Sequence, residues 1–138
     1  FVILRFGTVY GERANEFNTV RNFIDSAINE KKIHRSTKGN EIRSYIHIED
    51  VTKIVYESIK NKYNNGYYNI FGPKKMSVKK MLNIIKKFIP NLRIYYSKYD
   101  KKMYNYKVNP FTYKLRKGKK IILKKYTDIE IGLFKLIK

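Results

Sequence analysis

Two segments about thirty residues apart place the strongest constraint on the fold of this 138-residue chain. They span residues 4–11 and 42–51, and each reads as a buried strand that leads into a turn or a helix start. Residues 1–6 are predominantly apolar, which is typical of a strand buried on both faces of a parallel sheet. Glycines at positions 7 and 11 then predict a turn, because glycine bends the backbone at little steric cost.

Strands and helices alternate along the rest of the chain. Apolar residues at helical spacing predict helices over residues 16–31, 51–60, 78–89 and 128–137. Short apolar runs predict strands over residues 32–35, 45–48, 67–71 and 92–96. This alternation predicts an α/β fold with a parallel sheet. Such a sheet needs strands on either side, so the first strand alone would leave an exposed apolar edge and implies a missing amino-terminal part.

Polar residues at the helix starts predict the caps. Asp50 is expected to cap the second helix, Ser77 the third, and residues 127–130 to form a capping box for the last. The residues predicted to face the core are Phe17, Val20, Phe23, Ile24, Ala27 and Ile28 in the first helix, Val51, Ile54, Val55 and Ile59 in the second, Val78, Met81, Leu82, Ile85, Phe88 and Ile89 in the third, and Leu133, Phe134 and Ile137 in the last.

Length and composition favour one globular domain without a membrane span or a metal site. The chain is 43% apolar, yet no apolar run approaches the roughly 18 residues of a transmembrane helix. It has no cysteine, which excludes disulfides and fits a cytoplasmic location. The two histidines have no acidic residue at ligand spacing, so no metal motif is present.

The net charge of +20 is concentrated in the second part of the chain. Residues 1–60 hold ten Lys and Arg against eight Asp and Glu, whereas residues 61–138 hold 21 against three. Such a surface can attract phosphate-rich partners, so a basic, Lys/Tyr-rich nucleic-acid-binding module is one candidate function. Coding bias is the simpler explanation, because Lys, Asn, Ile and Tyr are all abundant and the lysines are scattered.

The segment Arg43-Ser44-Tyr45-Ile46-His47-Ile48-Glu49-Asp50 carries the most specific signal. With Leu4-Arg5-Phe6-Gly7-Thr8-Val9-Tyr10-Gly11 and Gly66-Tyr67-Tyr68-Asn69-Ile70-Phe71-Gly72, it resembles the carboxy-terminal part of the NAD-dependent nucleotide-sugar epimerase/dehydratase family, the extended short-chain dehydrogenases. The resemblance implies a Rossmann-type enzyme that transiently oxidises a nucleoside-diphosphate sugar with NAD. Epimerisation or dehydration follows, typically for surface polysaccharides, and the full-length enzyme is expected to form a homodimer.

The resemblance also implies roles for individual residues. Arg43 is expected to bind the diphosphate, since a guanidinium forks onto two phosphate oxygens; the alternative is an ion pair with Glu41. Thr8 is expected to contact the sugar or nucleotide, or else only its own turn. Thr19 and Val20, at a helix start, are expected to offer backbone N–H groups to the phosphates. Phe6 is expected beside the nicotinamide.

Several parts of such an enzyme are not found in the sequence. No glycine-rich dinucleotide loop follows any strand, so residues 1–138 are expected to be the substrate-binding part, with the amino-terminal NAD-binding part absent. The Tyr-x-x-x-Lys spacing of the family's catalytic pair occurs at Tyr56…Lys60 and Tyr113…Lys117. About two such spacings are expected by chance in a chain this rich in both residues. Catalytic residues are therefore unassigned, and residues 100–104 offer lysines where relatives supply a second arginine.

Overall fold

The structure is a computed structural model that describes residues 1–97 and 118–138. These residues form seven strands, four α-helices and a short 3-10 helix at Asn61–Tyr63. The strands are β1 (Val2–Phe6), β2 (Thr8–Tyr10), β3 (Lys32–Arg35), β4 (Ile42–His47), β5 (Gly66–Ile70), β6 (Lys75–Ser77) and β7 (Arg93–Tyr96). The helices are α1 (Thr19–Glu30), α2 (Ile48–Ser58), α3 (Val78–Phe88) and α4 (Ile129–Ile137). The predicted α/β class is confirmed.

The described strands pair into three small sheets that are mainly parallel. β1 pairs with β5, and β3 pairs with β7, both in parallel. β4 lies between β2, which is parallel to it, and β6, which is antiparallel. The parallel pairs join segments far apart in sequence, as expected where helices connect consecutive strands.

Two hydrophobic clusters form the core on either side of β4. Because neighbouring residues of a strand point to opposite faces, Tyr45 enters the larger cluster and Ile46 the smaller one. The larger cluster packs α1, α3 and α4 against β3 and β4, with Ala27, Leu82 and Leu133 fully buried. The smaller cluster lies beneath α2 and β5.

β1 is not buried on both faces as predicted. Val2 and Leu4 pack against the smaller cluster, but Ile3 and Phe6 remain 40% and 39% exposed. Within residues 1–97 and 118–138, β5 is the only strand beside β1. Ile3 and Phe6 lie on opposite faces of β1, so each face is partly exposed. Among the described strands none pairs with its second edge, as expected.

The turn predicted over residues 7–11 is wrong in part, because Thr8–Tyr10 is a strand. Parallel pairing with β4, in the register Thr8↔Tyr45 and Tyr10↔His47, satisfies its backbone. Only Gly7 and Gly11 interrupt the extended chain. The pairing is between segments more than thirty residues apart, so local turn signals could not reveal it.

The first helix is confirmed, but it begins later than predicted. Asn18 caps α1 by accepting hydrogen bonds from the N–H groups of Val20 and Arg21. Phe17 therefore lies outside the helix and is 82% exposed, contrary to its predicted place in the core. Ile28 is also exposed, at the solvent edge of the helix.

The second helix begins at Ile48, and His47 rather than Asp50 is its cap. The His47 imidazole accepts a hydrogen bond from the Glu49 N–H, at 3.3 Å between Nδ1 and N. Asp50 is instead buried in the first turn. Val55 and Ile59, predicted to face the core, are exposed, because α2 buries only the narrower stripe of Val51 and Ile54.

The last two helices follow the prediction closely. Ser77 caps α3, with its Oγ accepting from the Lys80 N–H at 3.1 Å. Asp128, within the predicted capping box, caps α4. Phe134 is 40% exposed rather than buried, whereas Leu133 lies fully in the core. None of the helices in the described ranges is long and apolar enough to cross a lipid bilayer.

Candidate functional site

A cavity of about 390 Å³ opens between the larger core cluster and solvent, at the amino-terminal ends of β2 and β4 and the start of α1. Four residues named from the sequence line it: Thr8, Thr19, Val20 and Arg43. They come from three separate elements. The structure thus gathers around one cavity every residue expected to contact a substrate.

The alternation of β4 directs Arg43 into this cavity. Arg43 and Tyr45 are two residues apart, so both side chains project to the same face of the strand, and both line the cavity. Ser44, between them, lines a different cavity on the opposite face. Thr8 lies directly beside Tyr45 in the parallel register of β2 and β4. The strand pairing therefore brings the hydroxyl of Thr8 to the same wall as the Arg43 guanidinium.

The start of α1 forms the opposite wall, although one of its backbone N–H groups already donates a hydrogen bond within the chain. Thr19 is exposed at the helix start, whereas Val20 is almost fully buried and contributes an apolar surface. The Val20 N–H already donates to Asn18 Oδ1 at 3.1 Å. An anion in the cavity would meet the positive end of the α1 dipole, but the Val20 amide is not freely available to it.

Arg43 is half-buried and is not held by a carboxylate. Its Nη1 donates to the carbonyl oxygen of the adjacent Ile42 at 2.8 Å. Within residues 1–97 and 118–138, it forms no ion pair. The alternative that Arg43 pairs with Glu41 is wrong, because Glu41 pairs with Arg35, at 3.1 Å between Oε1 and Nη2. The charge of Arg43 is thus left to act on the cavity.

Arg35 is a residue of this cavity that the sequence analysis missed. It ends β3 and lines the cavity together with Arg43. A signal was present, since Arg35 lies two residues after Ile33 in a predicted strand and must share the inward face of that buried residue. An arginine on the inward face of a strand needs an anionic partner, and Glu41 is the one described.

Two buried tyrosines, Tyr45 in the cavity wall and Tyr10 in the neighbouring core, have raised pKa values. Burial raises the pKa of Tyr45 to about 12, although the Arg43 and Arg35 guanidiniums act in the opposite direction. Burial, and then the carboxylates of Asp50 and Asp128, raise the pKa of Tyr10 as well. Both phenols therefore stay protonated.

His47 has a structural role, as the cap of α2. Burial lowers the pKa of its imidazole, which stays neutral at pH 7, and Nδ1 is occupied by the Glu49 N–H. Its ring packs edge-on against Tyr10, at 5.2 Å between ring centroids. Among the described residues, no group of three His, Asp or Glu side chains is placed to hold a metal ion.

The residues linked to the cofactor and to catalysis lie away from the cavity. Phe6, expected beside the nicotinamide, ends β1 and is not among the lining residues. Tyr56 is exposed on α2, and Lys60 forms an ion pair with Glu57 at 2.7 Å. The Tyr113…Lys117 spacing and the lysines of residues 100–104 lie outside the described residues.

Mainly parallel strand pairs with helices packed against them define the Rossmann-type class of α/β proteins. The family model of the NAD-dependent epimerase/dehydratase family matches residues 1–72, just over half of the sequence. The chain belongs to this family. No curated protein matches the sequence.

Solved structures of this class share the fold at low sequence identity. An NAD-dependent NDP-hexosamine 5,6-dehydratase, TunA, superposes with a TM-score of 0.75 at 18% identity over 97% of the chain. The ADP-L-glycero-D-manno-heptose-6-epimerase of Helicobacter pylori gives 0.73 at 21% identity over 98%. The UDP-N-acetylglucosamine 4-epimerase of Methanobrevibacter ruminantium, solved with UDP-N-acetylmuramic acid, gives 0.74 at 17% identity over 99%. The chain spans only 43%, 42% and 44% of these proteins, respectively.

Proposed function

We propose that this chain is the substrate-binding part of an NAD-dependent nucleotide-sugar epimerase or dehydratase, and that its cavity holds the diphosphate of the sugar nucleotide. The convergence of Thr8, Thr19, Val20 and Arg43 on one cavity is the observation that carries the proposal. The membership of the family and the sugar nucleotides bound by several structural neighbours support it.

The role of the chain's own residues follows from their chemistry. Arg43 supplies a charged fork for phosphate oxygens, and Thr8 supplies a hydroxyl that can donate to them or to the sugar. The apolar side chains of Val20 and Phe23 exclude water from one side, which strengthens these electrostatic interactions. Bound NAD would supply the acceptor for a hydride from a sugar carbon. The groups that hold NAD and move the proton are proposed to belong to an amino-terminal part outside residues 1–138.

The wider context of the activity is also a proposal. The complete enzyme would act in the cytoplasm as a homodimer, and supply epimerised or deoxygenated sugars for surface polysaccharides. Without the cofactor-binding part, the chain itself would bind the sugar nucleotide and leave it chemically unchanged.

We expect Arg43→Ala to weaken the binding of UDP-glucose or dTDP-glucose by about 10- to 100-fold, since charge-assisted hydrogen bonds contribute about 1.5–3 kcal/mol each. Isothermal titration of the 138-residue chain measures this change. The thermal midpoint of Arg43→Ala should be nearly the same as that of the parent chain, because the one internal hydrogen bond described for Arg43 is to its neighbour Ile42. Arg21→Ala is the matched control, since Arg21 is exposed and pairs only locally with Asp25. Equal affinities for the parent chain and Arg43→Ala would remove Arg43 from the site.

The alternative function, nucleic-acid binding, has one structural feature in its favour. His34 and Tyr95 stack on the solvent-facing side of β3 and β7, at 4.9 Å between ring centroids. Lys32 lies directly opposite Arg93 on the same face, a like-charge pair that an anionic partner would relieve. Exposed aromatic rings flanked by cations can stack on bases and track phosphates.

Binding of a fluorescent single-stranded RNA at several salt concentrations tests this alternative. If the β3–β7 face binds bases, Tyr95→Ala should weaken binding by about 1–3 kcal/mol, the usual contribution of one stacked base. Affinity should also fall steeply between low and physiological salt. A salt-sensitive affinity that Tyr95→Ala leaves unchanged would assign the binding to net charge alone and reject the face as a specific site.

A further inference from the structure

We propose that a second cavity of this chain binds an adenine nucleotide, with the side-chain amide of Asn69 recognising the base. The cavity has a volume of about 320 Å³, and Ser44 lines it on the face of β4 opposite Arg43. The residues that line it differ from all those that line the cavity at Arg43. The site is therefore separate from the one proposed for the sugar nucleotide, and the inference goes beyond that function.

The amide of Asn69 is a buried polar group without a partner in the described part of the chain. Asn69 is 3% exposed and lines the cavity. Its backbone N–H donates to the carbonyl oxygen of Lys119 at 2.8 Å, but its side chain forms no hydrogen bond within residues 1–97 and 118–138. Buried amides are almost always hydrogen-bonded, because losing water without gaining a partner is costly. A ligand in the cavity that offers both a donor and an acceptor would satisfy this amide.

Gly118 provides the space that the amide occupies. A Cβ at Gly118 would collide with Nδ2 of Asn69, and this glycine has a φ of +129°, which other residues rarely adopt. The next residue, Lys119, is held along β5 by backbone hydrogen bonds to Tyr67 and Asn69, at 2.9 and 2.8 Å. The amide is thus confined before a ligand binds, which lowers the entropic cost of binding.

The hydrogen-bonding groups of Asn69 match one edge of adenine. A carboxamide has one acceptor oxygen and an NH₂ donor, and it pairs in two places with the N6 amino group and N7 of adenine. Guanine presents two acceptors at the same edge, so one of them would face the amide oxygen. Ser44 donates its hydroxyl proton to the carbonyl oxygen of Gly72 at 3.3 Å, which leaves its Oγ as a further acceptor on the cavity wall.

Other lining residues suit the ring and the phosphate of such a ligand. The ring of Tyr126 is held in place because its hydroxyl accepts from the Leu123 N–H at 3.3 Å. With Ile121 it forms an apolar surface on which a base can stack. The exposed Lys120 lines the cavity beside Lys75, and positive charge here favours a phosphate group. Base, ring surface and charge together specify a nucleotide rather than a free base.

Isothermal titration of the 138-residue chain with AMP, GMP, UMP and adenosine tests the inference. We expect AMP to bind about tenfold more tightly than GMP, the discrimination expected of one bidentate pair. UMP should also bind more weakly, since its smaller ring stacks over less area. Adenosine should bind about threefold more weakly than AMP, because it lacks the phosphate. Lys120→Gln should reduce the difference between AMP and adenosine, whereas Lys32→Gln, which removes an exposed charge on β3, should preserve it.

Asn69→Leu separates recognition from a structural role. Leucine has nearly the shape of asparagine, and the amide has no described partner to lose, so the thermal midpoint should be unchanged or higher. AMP affinity should nevertheless fall by about tenfold. The affinity for UDP-glucose, proposed to depend on Arg43, should stay the same. A lower midpoint with unchanged AMP affinity would give Asn69 a structural role only and overturn the inference.

Tyr126→Leu should weaken AMP binding by about tenfold, and Tyr126→Phe is its control because it keeps the ring. AMP binding that Arg43→Ala abolishes, and that Asn69→Leu and Tyr126→Leu leave unchanged, would assign AMP to the other cavity. That result would reject the second site and leave the proposed function intact. Equal affinities for AMP, GMP and UMP, or no binding of AMP, would reject it as well.

Discussion

Gly72→Ala is expected to destabilise the chain by about 3 kcal/mol or more, a large part of the stability of a small domain. A Cβ at this position would lie 1.7 Å from the carbonyl oxygen of Tyr45 and 2.7 Å from its carbonyl carbon. The obstructing atoms are backbone atoms, so no side-chain rotation can make room. β4 or the segment after β5 would have to move.

The consequence extends to the cavity, because Tyr45 belongs to both the core and the cavity wall. Displacing its backbone would also shift Arg43, two residues earlier in β4. Gly72→Ala is therefore expected to reduce both the free energy of unfolding, measured by urea denaturation, and the binding of UDP-glucose. A glycine is required here by space, since Gly72 does not have a positive φ.

Gly66→Ala is the matched control at the other end of β5. There the added Cβ would meet ring atoms of Tyr68, a side chain that can shift, rather than backbone. Its destabilisation should be clearly smaller than that of Gly72→Ala. Equal effects at the two positions would contradict the view that the close approach of two backbones makes Gly72 necessary.

Asp50→Ala is expected to have the second-largest effect, about 3 kcal/mol, because it breaks the attachment between α2 and α4. Asp50 is 1% exposed, and its two oxygens accept from Thr127, at 2.8 Å from the backbone N–H and 3.2 Å from Oγ1. Thr127 immediately precedes Asp128, the cap of α4. Without the carboxylate, both donors of Thr127 would lose their partner.

The other polar contacts of α4 cannot replace this attachment. Lys87–Glu130 and Lys135–Glu49 are exposed ion pairs, which contribute little in water. Urea denaturation measures the loss of stability, and amide exchange in α4 should become faster than in α3. Thr127→Val keeps the backbone N–H and should give an intermediate loss.

Asp25→Ala is the control for the loss of a carboxylate as such. The Asp25 side chain is 43% exposed and pairs with Arg21 one helical turn away, so its removal should cost less than about 1 kcal/mol. A loss at Asp50 no larger than at Asp25 would mean that apolar contacts such as those of Leu133 hold α4 without help from Asp50.

Much of the fold could be predicted because its signals are local. The helical spacing after Ser77 and the cap itself define α3 within a few residues, and the same holds for the last helix around Asp128. The errors share a cause in contacts that are distant in sequence. Thr8–Tyr10 is a strand because β4 lies beside it, and Asp50 binds Thr127 across 77 residues instead of capping its own helix.

The candidate site also has residues that the sequence indicated and contacts that only the tertiary structure reveals. A motif within eight residues singled out Arg43, and the family resemblance indicated Thr8, Thr19 and Val20. No local pattern could show that these residues meet, or that Glu41 is withdrawn from Arg43 by Arg35. Sequence reasoning weighed Glu41 by its closeness along the chain, whereas the loop from residue 36 to 41 turns its carboxylate toward β3.

The sequence alone determined the α/β class and most of the helices, and it singled out Arg43 as a candidate for phosphate binding. Each of these signals, namely hydrophobic period, capping residues and a short motif, lies within a few consecutive positions. Tertiary structure alone decided which strands pair, which glycine has no room for a Cβ and which second arginine borders the cavity. These properties depend on distances between segments far apart along the chain. Such distances are set when the sheets and helices pack, and no single segment contains them.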